Sequence, residues 1–91
     1  METKDYTQEI IDIIRSNTSP AVMSSRLEDY HANDLAEVLK KLTVQERCKL
    51  YRILDINTLS DIFEYTDSDN AAEYVKEMDV KKGAAILSRM E

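Results

Sequence analysis

The sequence has few of the residues that make turns, disulfides or zinc sites: one Gly, one Pro, one Cys and one His among 91 residues. So few glycines and prolines argue against a protein built from β-hairpins. They also argue against a disordered chain, because 43% of the residues are hydrophobic. A single cysteine, Cys48, excludes a disulfide framework and is typical of a reducing, cytosolic compartment.

The same scarcity excludes several kinds of functional site. One His and one Cys cannot form a zinc site built from such ligands, and one glycine cannot form a glycine-rich phosphate-binding loop. No group of residues has the spacing of a catalytic site. We therefore predict that the protein is not an enzyme and has no catalytic residues.

Three further patterns are missing. No stretch approaches the ~20 consecutive apolar residues of a transmembrane helix, so we expect no membrane insertion of this segment. The polar start, Met1–Asp5, is unlike a signal peptide. The net charge of −6 is opposite to that of a phosphate-binding surface, so we expect no nucleic-acid partner.

What the sequence does contain is a twelve-residue repeat. From His31 to Met90 it divides without gaps into HANDLAEVLKKL, TVQERCKLYRIL, DINTLSDIFEYT, DSDNAAEYVKEM and DVKKGAAILSRM. Apolar residues recur at positions 5, 8, 9 and 12, which is the i, i+3, i+4, i+7 stripe of an amphipathic helix. Position 8 holds Val38, Leu50, Ile62, Tyr74 and Ile86.

The length of the block predicts a break in the helix once per repeat. Twelve residues of continuous helix would rotate each apolar stripe by about 120° relative to the previous one, so no single face could be buried. Position 1 provides residues that cap a new helix, namely Thr43, Asp55, Asp67 and Asp79. Each block is therefore predicted to be a short helix followed by a tight corner.

Two segments before His31 extend this pattern. Tyr6–Ser16 is predicted as a first helix, and Ser19–Tyr30 fits the repeat, with Ser19 as the cap and Pro20 at the first helical position. We therefore predict an all-α domain of about seven short helices wound into a superhelix.

The repeat also assigns structural roles to several conspicuous side chains. The small residue at position 6 is predicted to lie where short helices cross closely; the set is Ala36, Cys48, Ser60, Ala72 and Ala84. His31 is predicted to start a helix, and Tyr51 and Tyr74 to lie in the core.

Charge is distributed unevenly along the repeats. Lys40–Arg52 contains five basic residues and one acidic residue, whereas Asp55–Asp79 contains eight acidic residues and one basic residue. Three of those acids are the predicted caps, and the others are predicted to face outward. We call Asp55–Asp79 the acidic segment. It is interpreted either as a solvated surface or as a metal-sensing surface.

Three of the blocks, HANDLAEVLKKL, TVQERCKLYRIL and DSDNAAEYVKEM, resemble the N-terminal cytosolic domain of MgtE-type magnesium transporters. The resemblance covers Tyr6–Met90 and includes the opening His31…Asp34-Leu35-Ala36 and the run Asn70-Ala71-Ala72-Glu73. One feature departs from the family, which often has Pro directly after the cap. Here those positions hold Ala32, Val44, Ile56, Ser68 and Val80.

The resemblance implies a right-handed superhelix and a cytoplasmic regulatory domain. It implies that residues 1–91 are one domain, a fragment of a longer homodimeric chain that continues into a pair of CBS domains and a membrane domain. In the family, Mg²⁺ bound between carboxylates of facing domains holds the pore closed. Asp61 matches an acidic site at that interface, and Glu64 is a second candidate ligand. Because the facing domain supplies the remaining ligands, we expect the isolated chain to bind Mg²⁺ weakly.

Two other functions fit the same helical repeat. One is a scaffold like the flagellar motor switch proteins of the FliG type, in which the basic and acidic segments would be complementary docking surfaces. The other is an adaptor that binds an amphipathic peptide in the superhelix groove. A response to Mg²⁺ would separate the transporter domain from both alternatives.

Overall fold

The computed structural model describes residues 5–89, which form seven α-helices and no β-strand. The helices are α1 Thr7–Arg15, α2 Pro20–Leu27, α3 Ala32–Leu39, α4 Val44–Ile53, α5 Ile56–Glu64, α6 Ser68–Glu77 and α7 Val80–Arg89. The predicted all-α class is therefore confirmed. From α2 onward one helix starts every twelve residues. The right-handed superhelix and the single domain spanning residues 1–91 stay predictions.

A polar side chain caps the first turn of every helix from α2 to α7. The capping residues are Ser19, His31, Thr43, Asp55, Asp67 and Asp79. Asp67 is typical, because its Oδ1 accepts a hydrogen bond from the backbone N–H of Asn70 at 2.8 Å. Thr43 and Glu46 form a complete capping box. The predicted breaks between helices, and the helix-start role of His31, are thus confirmed.

Helix α1 is slightly shorter than the predicted span Tyr6–Ser16. Its N-cap residue is Tyr6, and Asp5 directly before it accepts a hydrogen bond from the backbone N–H of Thr7 with Oδ1 at 2.9 Å. At the other end Ser16 has an extended backbone conformation and accordingly lies outside the helix.

The odd-numbered helices pack in one row, with α1 on α3, α3 on α5 and α5 on α7. Beside this row α2 contacts α1 and α4, and α6 contacts α7. The position 8 residues of the five blocks are at most 3% exposed. Tyr51 and Tyr74 are each 3% exposed, so their predicted place in the core is confirmed.

The prediction for the small residue at position 6 is wrong in two repeats. Ala36 and Ser60 are buried and Cys48 is half-buried, but Ala72 and Ala84 are exposed. The reason is their place in the fold, because none of the helices in residues 5–89 packs over these faces of α6 and α7. The prediction that Met90 fills position 12 falls outside the described residues.

Candidate functional site

Helix α5 carries both predicted metal ligands, Asp61 and Glu64, on its exposed side. The two are three residues apart, so they are neighbours one turn apart on the helix surface. Among the described residues, neither carboxylate has a hydrogen-bond or ion-pair partner. The other side of α5 is fixed in the core, where Leu59, Ile62 and Phe63 are at most 1% exposed. The two carboxylates are therefore unpaired groups on a rigid support.

The two carboxylates face different clefts. Asp61 lines a cleft of about 180 Å³ formed by the end of α2, the start of α3 and helix α5. A second acidic residue, Glu28, lines the same cleft, and no pattern in the sequence indicates its place there. Glu64 instead lines an apolar cleft of about 380 Å³ with Ala72 and Leu87.

This arrangement bears on the predicted Mg²⁺ site. Within residues 5–89, no group of three or more His, Cys, Asp or Glu side chains could hold a metal ion. Mg²⁺ prefers oxygen ligands, keeps several waters and is bound through one or two carboxylates. Asp61 and the nearby Glu28 fit that chemistry as a partial ligand set, and the ligand roles of Asp61 and Glu64 stay predictions.

Most other carboxylates of the acidic segment already have a structural role. Backbone hydrogen bonds at the helix starts lower the pKa values of the capping residues Asp55 and Asp67. Glu73 forms a surface ion pair with Lys76 at 3.6 Å. Besides Asp61 and Glu64, only Asp69 remains unpaired in the described part of this segment.

Glu77 contradicts the prediction that the remaining acids face outward. Its side chain is 16% exposed and forms a bidentate ion pair with Arg47. Arg47 Nη2 donates to Glu77 Oε2 at 2.7 Å, and Arg47 Nε donates to Glu77 Oε1 at 2.9 Å. The Tyr51 hydroxyl donates to Glu77 Oε1 at 2.7 Å. The hydrogen bonds from Arg47 lower the pKa of the Glu77 carboxyl, and burial raises the pKa of Tyr51. The acid points inward because the half-buried guanidinium of Arg47 needs a counter-charge.

Basic side chains also satisfy backbone carbonyls near helix C-termini. Arg47 Nη1 donates to the carbonyl of Leu42 at 2.7 Å, just beyond α3, and Lys49 Nζ donates to Ile14 O at 2.9 Å in α1. Such cations are stabilising where a helix ends with free carbonyl groups. In the scaffold alternative, Arg47 and Lys49 would therefore not be available to the basic docking surface, because they already bind carbonyl groups of this chain.

The family model of the MgtE intracellular N domain matches residues 30–91, which is more than half of the chain. No match was found among curated proteins or among solved structures. No helix in residues 5–89 is long and apolar enough to cross a membrane. The matched family belongs to transporters and not to enzymes. The chain is therefore a member of the MgtE intracellular N domain family, a cytosolic domain of magnesium transporters.

Proposed function

We propose that this domain senses cytosolic Mg²⁺ and closes the transporter pore when Mg²⁺ bridges it to a facing domain. The facing partner is a CBS pair of the same polypeptide, which continues into the membrane domain of a homodimer. The observation that carries this proposal is the pair of unpaired carboxylates on α5, Asp61 and Glu64, in a segment whose other acids mostly cap helices or form ion pairs.

The physical mechanism is a change in repulsion between two acidic surfaces. Without Mg²⁺, carboxylates on facing domains repel each other, and the domains stay apart. With Mg²⁺, one or two carboxylates from each side share the ion, and the remaining ligands are waters. The ion binds the closed arrangement more tightly than the open one, so a rise in its concentration shifts the equilibrium toward closure.

The rigid position of α5 supports this role. Its buried face holds the helix against α3 and α7, so ordering Asp61 on binding costs side-chain entropy and no backbone rearrangement. The isolated chain lacks the facing half of the site and is expected to bind Mg²⁺ with millimolar affinity or weaker. Nanomolar binding by the isolated chain would contradict a shared site.

Limited proteolysis of the full-length protein over a Mg²⁺ titration tests the proposal. Millimolar Mg²⁺ is expected to protect the segment that connects this domain to the next one from cleavage by the protease. Asp61→Asn is expected to weaken that protection. Ca²⁺ and a salt of matched ionic strength serve as ion controls. Asp69→Asn is the matched variant, because it removes the same charge from an unpaired carboxylate on the neighbouring helix α6. Protection no greater than with the matched salt would refute the proposal.

A further inference from the structure

Helix α3 is capped by a nitrogen atom, whereas the other helices from α2 to α7 are capped by oxygen atoms. His31 Nδ1 accepts a hydrogen bond from the backbone N–H of Asn33 at 3.2 Å. The hydroxyl and carboxylate oxygens of the other caps remain acceptors near neutral pH. The cap of α3 is different, because an imidazole nitrogen that takes up a proton becomes a donor.

Protonation of His31 therefore removes this hydrogen bond. A neutral imidazole has one acceptor nitrogen, which in His31 is Nδ1, but an imidazolium has two donor nitrogens and no acceptor. The added positive charge also lies at the positive end of the helix dipole, which is unfavourable. Histidine side chains change charge between about pH 5 and 8, so the change falls in the range of cellular pH.

The surroundings of His31 do not replace the lost cap. The side chain is exposed, and within residues 5–89 its imidazole has no ion-pair partner. The group that contacts it from α5 is the ring of Tyr65, with the two ring centroids 5.5 Å apart. The nearest carboxylates along the chain are Asp29, before His31, and Asp34, in the first turn of α3. Both attract an imidazolium, but neither is bonded to His31.

We infer that His31 is a pH-sensitive cap, and that a fall in pH from about 7.5 to about 5.5 loosens the start of helix α3. The residues on both sides of it, Tyr30 and Ala32, line the cleft that Asp61 also lines. Tyr65, which contacts the imidazole, follows Asp61 by one helical turn. A looser start of α3 therefore changes one wall of this cleft.

Three proteins that differ only at residue 31 test this inference. Asn caps a helix well at every pH and Ala does not, so His31→Asn has a permanent cap and His31→Ala has none. At about pH 7.5 the wild type should match the stability of His31→Asn, and at about pH 5.5 it should fall to that of His31→Ala or below. Relative to His31→Asn, its equilibrium constant for unfolding should rise about fivefold.

Denaturant unfolding followed by circular dichroism measures these differences. The chain contains no second histidine, and all other titrating groups are shared by the three proteins, so their effects cancel in the comparison. A wild type that stays level with His31→Asn over this pH range would overturn the inference. Equal stability of His31→Ala and His31→Asn would overturn it as well, because the side chain would then contribute no cap.

An effect of pH on Mg²⁺ sensing also follows, and this consequence rests on the proposed function. In limited proteolysis of the full-length protein, lowering the pH should raise the Mg²⁺ concentration needed for protection more in the wild type than in His31→Asn. The unfolding experiment contains no Mg²⁺ and tests the cap alone. Protection absent at both pH values would refute the proposed function, whereas an equal rise in both proteins would refute the effect of the cap on the cleft.

Discussion

Replacing Glu77 with Gln is expected to lower the free energy of unfolding by about 3 kcal/mol, because it leaves the half-buried charge of Arg47 without a counter-charge. The Arg47 side chain is 14% exposed, and its Nη2 lies 2.7 Å from Glu77 Oε2. The substitution also weakens the acceptor of the Tyr51 hydroxyl, which donates to Glu77 at 2.7 Å. Denaturant unfolding followed by circular dichroism measures the difference in free energy.

Glu73→Gln is the matched control for this prediction. It removes the same charge from the same helix, but from an ion pair whose side chains are 73% and 69% exposed. Exposed pairs contribute little, so we expect a change below about 0.5 kcal/mol. If both variants lowered the free energy of unfolding equally, the structural role of the Arg47–Glu77 pair would be refuted.

The difference in stability between the wild type and Glu77→Gln is expected to shrink as the pH falls. The hydrogen bonds from Arg47 lower the pKa of Glu77 below its ordinary value of 4.5. A carboxyl with a lowered pKa in the folded chain stabilises the fold above its unfolded pKa. That contribution is lost as the pH falls through the folded value. Protonated Glu77 resembles Gln, so the wild type should lose more stability on acidification than the variant.

Unfolding curves at neutral pH and at a series of pH values below 4.5 test this expectation. Other carboxyls titrate in the same range; a hydrogen bond from Arg15 lowers the pKa of Glu46 to about 2. Both proteins contain Glu46, so its titration cancels in their difference. A difference in unfolding free energy that stayed constant across this range would show that the Glu77 charge does not stabilise the fold.

The helices could be predicted from the sequence because their determinants are local and periodic. A cap such as Asp67 acts on a backbone N–H only three residues away. Burial at position 8 follows from the apolar period within one helix, and it holds from Val38 to Ile86. Nothing beyond a single block was needed for either prediction.

The contact between Arg47 and Glu77 could not be predicted in the same way, because thirty residues separate its partners. One signal was present: Arg47 stands at position 5, where the neighbouring blocks hold Leu35 and Leu59. A charge in an apolar stripe indicates a buried partner of opposite charge. Nothing in the sequence distinguishes Glu77 from the outward-facing acids of its segment.

The candidate site was likewise predicted only in part. Asp61 is exposed and unpaired, as its place off the apolar stripe indicates. Glu28 lines the same cleft through the packing of α2 and α3 near α5, which no local pattern shows. The exposure of Ala72 and Ala84 also depends on tertiary structure, because identical positions in a repeat differ in which of the described helices pack against them.

Mg²⁺ transport by the full-length protein, measured against internal Mg²⁺ concentration, tests the sensing role most directly. If Mg²⁺ held by Asp61 closes the pore, Asp61→Asn should raise the concentration for half-inhibition by about tenfold, which corresponds to ~1.4 kcal/mol. Asp69→Asn should leave that concentration unchanged. An Asp61→Asn transporter that closed at the wild-type Mg²⁺ concentration would contradict the proposed sensing role of this carboxylate.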